Sequence, residues 1–123
     1  MKYLCLAYEE EQKLNNLSEG EWHTLRQETL DYVAALRTSG HLLDARPLRS
    51  ATTASTLRIR DGKLLVSDGP FAETKEQIGG FFLIEASDQE EAIRIAAAWP
   101  SARLGSVEVR PIDEELRLDR RYS

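Results

Sequence analysis

The sequence of 123 residues predicts one α+β domain, with elements in the order strand, helix, strand, hairpin, strand, helix, strand. Two observations predict this fold class. Apolar residues recur at helical spacing in two segments, and short strand-like segments stand before, between and after them. An Asp-Gly pair between two apolar segments adds the hairpin. The hydrophobic fraction of 41% is enough for a single core, which excludes a mainly disordered chain.

The first predicted strand covers residues 2–8, whose sequence KYLCLAY is aromatic and aliphatic. Residues 9–17 are polar and are interpreted as a loop. Residues 41–48 have a weaker strand pattern. Pro47 indicates that this strand lies at an edge or ends there, because proline cannot donate a hydrogen bond to a neighbouring strand.

A long amphipathic helix is predicted over residues 19–39, between these two strands. Ser18 and Glu21 have the spacing of a capping box, in which the two side chains satisfy free backbone N–H groups. Apolar residues follow at close to helical spacing, and Gly40 stands where a helix commonly ends.

A β-hairpin is predicted over residues 55–68, with Asp61-Gly62 as a two-residue type I′ turn. The expected pairs are Arg60 with Lys63, Ile59 with Leu64, Arg58 with Leu65, and Leu57 with Val66. In that register four apolar side chains share one face of the hairpin: Leu57, Ile59, Leu64 and Val66.

The second half of the chain contains two further strands, over residues 81–86 and 106–112, with a helix between them. Ser87 and Glu90 form another capping box, and Pro100 ends the helix. The apolar positions of this segment are Ala92, Ile93, Ala96, Ala97 and Trp99.

Without the hairpin the order is βαββαβ, the ferredoxin-like pattern, in a domain of residues 1–112 followed by a tail of residues 113–123. That pattern places strands 2–8 and 80–86 at the centre of the sheet. Both are apolar on both faces, whereas two helices cover only one face. Because an exposed apolar face of that size is typical of an interface, we predict a homodimer packed sheet to sheet.

Composition excludes several classes of function. The chain has 16 Lys and Arg against 21 Asp and Glu, a net charge of −5, which argues against nucleic-acid binding. No apolar run reaches the ~20 residues of a membrane span and no secretory signal is recognisable, so we expect a cytoplasmic protein. With Cys5 as the single cysteine, two distant histidines and no phosphate or dinucleotide motif, we expect no metal and no cofactor.

Residues 68–80, DGPFAETKEQIGG, place charged residues between two apolar strands. The DGP that begins the segment is typical of a tight turn. Phe71 is interpreted as an apolar anchor, and residues 74–77 as a single capped helical turn.

This segment resembles the signature of the DGPF subgroup of the YCII-related family. The resemblance extends to the opening KYLCLAYEEE, the ATTASTLRIRDGK hairpin, the DGPFAETKEQIGGFFLIEA block and the closing GSVEVRPI. It implies a dimeric α/β-barrel architecture and enzymes without a generally assigned reaction. It also implies that some members are joined to, or encoded beside, sigma factors.

The family's other subgroup carries a His and an Asp proposed as an acid–base pair. The resemblance places Asp68 at the Asp position and His23, in the first helix, at the His position. Relatives in the DGPF subgroup often have a His before the proline that ends the second helix. This chain has Trp99 there, which removes one source of a catalytic His.

The residues themselves support two interpretations of Asp68. Asp68 follows Leu64 and Val66 at alternate positions of the strand. In a regular strand its carboxylate therefore points to the same apolar face as those two side chains. A carboxylate in such surroundings has the properties of a general acid or base. The alternative is an Asp that caps its own turn through backbone N–H groups.

The other candidate site residues also have two interpretations. Glu73 and Lys75 either bind a polar substrate or form a solvated turn. Arg58 and Arg110 are candidates to hold a substrate carboxylate, and the alternative for Arg110 is a salt bridge on the sheet. His23 is either a proton shuttle or a surface histidine of the helix.

The leading hypothesis is a small homodimeric enzyme in which Asp68, with His23, moves protons on a small organic molecule by isomerisation or elimination. The alternative is a non-catalytic module that binds a ligand or acts with a sigma factor in transcription control. A third interpretation makes the DGPF turn purely structural.

Overall fold

The computed structural model describes residues 1–115 and residue 122. Its strands are β1 (Lys2–Glu9), β2 (Leu42–Pro47), β3 (Ser55–Arg60), β4 (Lys63–Asp68), β5 (Gln77–Glu85) and β6 (Gly105–Pro111), and its α-helices are α1 (Glu11–Asn15), α2 (Glu19–Thr38) and α3 (Gln89–Ala97). Two short 3₁₀ turns cover Ala51–Thr53 and Pro100–Arg103. Within the described residues, no helix is long and apolar enough to span a membrane. Most of the predicted tail lies outside the described residues.

The main sheet has four antiparallel strands in the order β2-β5-β1-β6. This is the ferredoxin-like order, with the first and third core strands in the centre, and it confirms the predicted fold class. Strand β2 lies at an edge, as Pro47 indicated. A β-bulge between Ala7 and Tyr8 shifts the β1–β5 register, so that Glu9 lies opposite Gln77.

The core lies between one face of this sheet and the helices α2 and α3. Tyr3, Cys5, Phe82 and Ile84 are almost completely buried there. Helix α2 contributes Leu36, and α3 contributes Ala92, Ile95 and Ala96. Burial raises the pKa of the Cys5 thiol to about 12, so this cysteine remains a neutral core residue at physiological pH.

Helix α2 has both of its predicted ends. Ser18 accepts a hydrogen bond from the backbone N–H of Glu21, and the Glu21 carboxylate accepts one from the N–H of Ser18. At the other end Gly40 has a φ of +82°, and the N–H of His41 donates to the carbonyl of Leu36. This is a Schellman ending, and it requires the left-handed conformation that glycine adopts without strain.

The cap of α3 is shifted by one residue from the prediction. Asp88, and not Ser87, accepts a hydrogen bond from the backbone N–H of Glu91, at 2.8 Å. The segment SDQEE contains two overlapping capping boxes, and the second places an ionised carboxylate at the positive end of the helix. Ile93, one of the predicted apolar positions, is 51% exposed, whereas Ile95, absent from those positions, is buried.

Two segments differ from the prediction in local structure. The loop predicted over residues 9–17 contains the short helix α1. Residues 74–77 do not form a helical turn, because the side-chain amide of Gln77 donates to the carbonyls of Ala72 and Thr74 and Gln77 itself begins β5.

The hairpin β3–β4 has the predicted register at every pair, and Asp61 and Gly62 have the positive φ values of a type I′ turn, 52° and 72°. It forms a separate two-stranded sheet. Four side chains of its apolar face are each more than 60% exposed: Leu57, Ile59, Leu64 and Val66. Complete burial of such a side chain contributes about 1.5–3 kcal/mol, so covering this face would add roughly 4–7 kcal/mol.

The second face of the main sheet carries a central apolar cluster, which we call the open face: Leu4, Leu6, Phe81 and Leu83. Residues directly opposite on neighbouring strands share a face, so the open face is flanked by Asp44 and Arg46 on β2 and by Glu108 and Arg110 on β6. Each flank forms an ion pair, with N···O distances of 3.2 Å for Asp44–Arg46 and 2.7 Å for Glu108–Arg110.

We predict that Gly105→Ala destabilises the domain. A Cβ at position 105 would overlap the backbone carbonyl of Tyr8, which the central strand β1 cannot easily move. The expected loss is on the order of 1–3 kcal/mol in the free energy of unfolding, measured by urea denaturation. The matched control is Gly20→Ala, where the helix leaves open space and the gain in helix propensity is up to about 1 kcal/mol. Equal stability of the two variants would contradict this account of Gly105.

Candidate functional site

A cavity of about 530 Å³ opens where the end of β1, the start of α1, the Ala51–Thr53 turn and the segment after β4 meet. Its lining is rich in titratable groups: Glu10, Glu11, Asp68, Glu73 and Lys75. A second cavity, of about 390 Å³, lies between α3 and β6 and has no titratable side chain in its lining. The first cavity is therefore the candidate site for acid–base chemistry.

Asp68 is the last residue of β4 and lies opposite Ser55. Its turn is closed without its carboxylate, because the N–H of Gly69 donates to the carbonyl of Ala54 and the hydroxyl of Thr56 donates to the carbonyl of Gly69. Among the described residues, the Asp68 carboxylate forms no hydrogen bond or ion pair. The structure thus differs from the turn-capping interpretation and leaves this carboxylate available in the cavity.

The other cavity carboxylates have different surroundings. Glu11 accepts hydrogen bonds from the Ser50 hydroxyl at 3.1 Å and from the Ala51 N–H at 3.0 Å, which joins α1 to the 3₁₀ turn. Glu10 lies 3.7 Å from the ammonium group of Lys13. Within the described part of the chain, Glu73 and Lys75 have no such partner.

The structure brings together three of the six predicted site residues, namely Asp68, Glu73 and Lys75. His23 does not line the cavity: it is exposed on α2, and its Nε2 lies 3.7 Å from a carboxylate oxygen of Glu19. Within a single chain, His23 is therefore a surface histidine of the helix.

The two predicted arginines also lie outside the cavity. The guanidinium carbon of Arg58 lies 5.4 Å from the centre of the Phe71 ring, in a cation–π arrangement. Arg110 is bound to Glu108 on the sheet, which is the alternative that the sequence left open. Phe71 is 79% exposed, so it does not anchor the segment within this chain.

Sequence reasoning missed Glu10 and Glu11, because they lie in the segment interpreted as a loop. The distribution of charge along this segment was an available signal: an acidic side chain stands in the first turn of α1 and a basic one, Lys13, in the last turn. That arrangement matches the helix dipole and is typical of a short helix.

Trp99, at the position where DGPF relatives often have a His, has a packing role. Its ring is stacked on Phe82, with 4.0 Å between ring centres, and meets Tyr32 edge to face at 6.1 Å. The Tyr32 hydroxyl donates to the carbonyl of Ile95. This position belongs to the core and not to the cavity.

Comparison with known proteins places the chain in a family. Residues 1–115 match the family model described as the YCII-related domain. The chain belongs to the YCII-related family. An uncharacterised protein of Rhizobium meliloti (strain 1021) is 36% identical over 114 residues, which cover 91% of this chain and 92% of that protein.

A solved structure is similar in fold. It is the 5-chloro-2-hydroxyhydroquinone dehydrochlorinase of Burkholderia phenoliruptrix, in complex with 2,5-dihydroxybenzoquinone. The TM-score is 0.55 at 16% sequence identity, and the match covers 94% of this chain and 96% of that one. At this identity the similarity establishes the shared fold.

Glu9, next to the cavity, has a raised pKa. Burial is the larger cause, and the negative charge of Glu11 adds to it. The Glu9 side chain lies against Gly79, where a Cβ would overlap its carboxylate. The absence of a side chain at position 79 thus provides the space that Glu9 occupies.

We predict that Glu9→Gln stabilises the protein at pH 7. Because the folded-state pKa of Glu9 is raised, the folded chain holds this proton more tightly than the unfolded chain, and stability decreases as the pH rises through the interval between the two pKa values. The gain in Tm should therefore be largest at neutral pH and disappear below about pH 4, where both states are protonated. Thermal unfolding of the unchanged protein and of the variant across this pH range measures the difference in Tm. A gain in Tm that does not change with pH would contradict a raised pKa of Glu9 in the folded chain.

Proposed function

We propose that this protein is an enzyme that performs acid–base chemistry, isomerisation or elimination, on a small organic molecule in the cavity beside Asp68. The observation that carries the proposal is the carboxylate of Asp68, which lines the cavity and has no partner among the described residues. Such a carboxylate is free to accept a proton from a bound molecule.

The cavity groups have complementary roles in this proposal. Asp68 removes a proton from a carbon next to a carbonyl group, and the electrons of the broken C–H bond move towards the carbonyl oxygen. The Lys75 ammonium, the cation among the titratable groups of the cavity lining, stabilises the negative charge that develops there. The electrons then return either to take up a proton at another carbon, which is isomerisation, or to expel a leaving group, which is elimination.

The fold supports the choice of reaction class. The similar solved structure is named a dehydrochlorinase, and its bound molecule is a small quinone, so the shared fold is compatible with an elimination reaction on a small molecule. The contacts and the comparisons described above provide no support for an association with a sigma factor, and we do not propose one. The cytoplasmic location predicted from the sequence stays a prediction.

Asp68→Asn provides the first test. We expect it to lower the rate at least about 100-fold, because an amide cannot accept the proton. His23→Gln, outside the cavity, should remain within about threefold of the unchanged protein. The assay follows 5-chloro-2-hydroxyhydroquinone and a set of small ketones in D₂O, with chloride release and deuterium incorporation as readouts.

Two outcomes would contradict this proposal. Equal loss of activity in both variants, with both still folded by circular dichroism, would show that the reaction does not take place in the cavity beside Asp68. If the unchanged protein accelerates neither reaction with any compound of the set, the proposed reaction class is rejected for these substrates.

We further propose that two copies of the chain pack through their open faces, in the dimeric α/β-barrel arrangement expected from the sequence. The flanking charges support a second copy as the partner. Asp44 and Arg110 lie at opposite edges of one cross-strand row of the open face. Arg46 and Glu108 lie at opposite edges of the neighbouring row. A twofold axis in the plane of the interface, along or across the strands, brings each charge opposite one of the other sign.

Leu6→Lys should therefore convert the dimer into a monomer, because the new ammonium group would lie in the centre of an apolar interface. Leu6 faces away from the core, so the variant should keep its fold. The matched control is Leu30→Lys, at a 46% exposed position of α2, which should remain dimeric. Sedimentation velocity measures both. A dimeric Leu6→Lys variant would exclude the open face as the interface.

A further inference from the structure

The hairpin β3–β4 has two chemically different faces. Leu57, Ile59, Leu64 and Val66 occupy one face and are exposed within the single chain. The opposite face carries the cations Arg58, Arg60 and Lys63, together with Leu65. A two-stranded hairpin alone is marginally stable in water, so a large uncovered apolar face on it indicates a missing contact.

The apolar face leads directly to the candidate site. Asp68 and Ser55 are the last pair of the hairpin, and by strand alternation they lie on the same face as Leu57 and Val66. Asp68 also lines the cavity. Any surface that covers Leu57 and Val66 therefore comes to lie beside the cavity entrance.

The distribution of charge favours a second copy of this chain as the covering surface. Residues 55–68 contain three cations and two carboxylates, a net charge of +1, which leaves −6 for the rest of a chain whose total is −5. The cations lie on the face that points away from the apolar contact, so this charge difference steers the hairpin of one copy towards the body of another over a distance and adds no cation to the contact itself. Its strands of six residues extend for about 20 Å, which is long enough to reach across an interface.

The size of the interface points to the same partner. The apolar side chains of the open face are already partly buried within their own protomer, whereas those of the hairpin are mostly exposed. A stable dimer buries roughly 800 Å² on each partner, and the exposed apolar side chains of the hairpin add to the apolar area of the open face.

We infer that the apolar face of each hairpin packs against the partner copy, and that the partner thereby closes the cavity beside Asp68. This inference rests on the proposed homodimer and extends it to the site, which is then incomplete in a single chain. Closure by the partner excludes water from Asp68 and Lys75 and strengthens their electrostatic action on a bound molecule.

Cysteine accessibility tests the inference. Val66→Cys reports on the apolar face, Thr52→Cys on the cavity, and Leu65→Cys is the matched control on the other face of the same strand. Val66 and Leu65 are similarly exposed in one chain, at 61% and 53%, so a difference between them reports on the partner. The native Cys5 is buried, with a raised pKa, and does not react.

Each variant is treated with the uncharged reagent iodoacetamide, alone and combined with Leu6→Lys, and alkylation is followed by mass spectrometry. In the dimer we expect alkylation at positions 66 and 52 to be slower by at least about tenfold than in the Leu6→Lys monomer, and at position 65 to change less than about twofold.

The outcomes separate the inference from the proposal on which it rests. A dimer in which position 66 reacts as in the monomer overturns the inference and leaves the homodimer standing. Protection at position 66 without protection at position 52 overturns the closure of the cavity. A protein that sediments as a monomer overturns both, whereas a dimer that survives Leu6→Lys and reacts more slowly at position 66 than at position 65 keeps the hairpin contact and rejects the open-face contact.

Discussion

The antiparallel pairing of β1 with β5 is the constraint on which the rest of the structure depends. Both strands are apolar on both faces, so one face of the pair builds the core with the helices and the other remains open. Because side chains alternate along a strand, a slip of one residue would exchange these two faces. The pairing therefore determines both where the helices lie and which side chains form the open face. The register shift after Ala7, where Gly79 of β5 has no partner on β1, places Glu9 opposite Gln77, which lines the cavity.

Features set by short-range chemistry were predictable from the sequence. The Ser18–Glu21 box, the ending at Gly40 and the Asp61-Gly62 turn each depend on a few adjacent residues, and the structure confirms all three. The errors occur where neighbouring solutions compete or where the deciding contact is distant. Ser87 and Asp88 are adjacent candidates for one cap, and only the packing of α3 on the sheet distinguishes them.

The candidate site was predictable only in part, because the cavity is assembled from separate segments. Asp68, Glu73 and Lys75 follow one another along the chain, and their charge density was visible in the sequence. Glu11 reaches the same cavity through hydrogen bonds to Ser50 and Ala51, a contact across 40 residues that no local pattern encodes. Spacing alone likewise could not place His23 relative to the cavity, since the position of its helix relative to the hairpin is set only in the folded chain.

The hydrogen bond from the N–H of Leu48 to the carbonyl of Gly79, at 2.8 Å, has an evolutionary consequence. It joins the end of β2 to β5 at the point where residues 49–78, which we call the hairpin excursion, leave and re-enter the main sheet. Insertions, deletions or sequence drift in this excursion can change the rim of the cavity without disturbing the pairing of β2 with β5. Relatives that share the same four-stranded framework can thus differ in the rim of the cavity through this one segment.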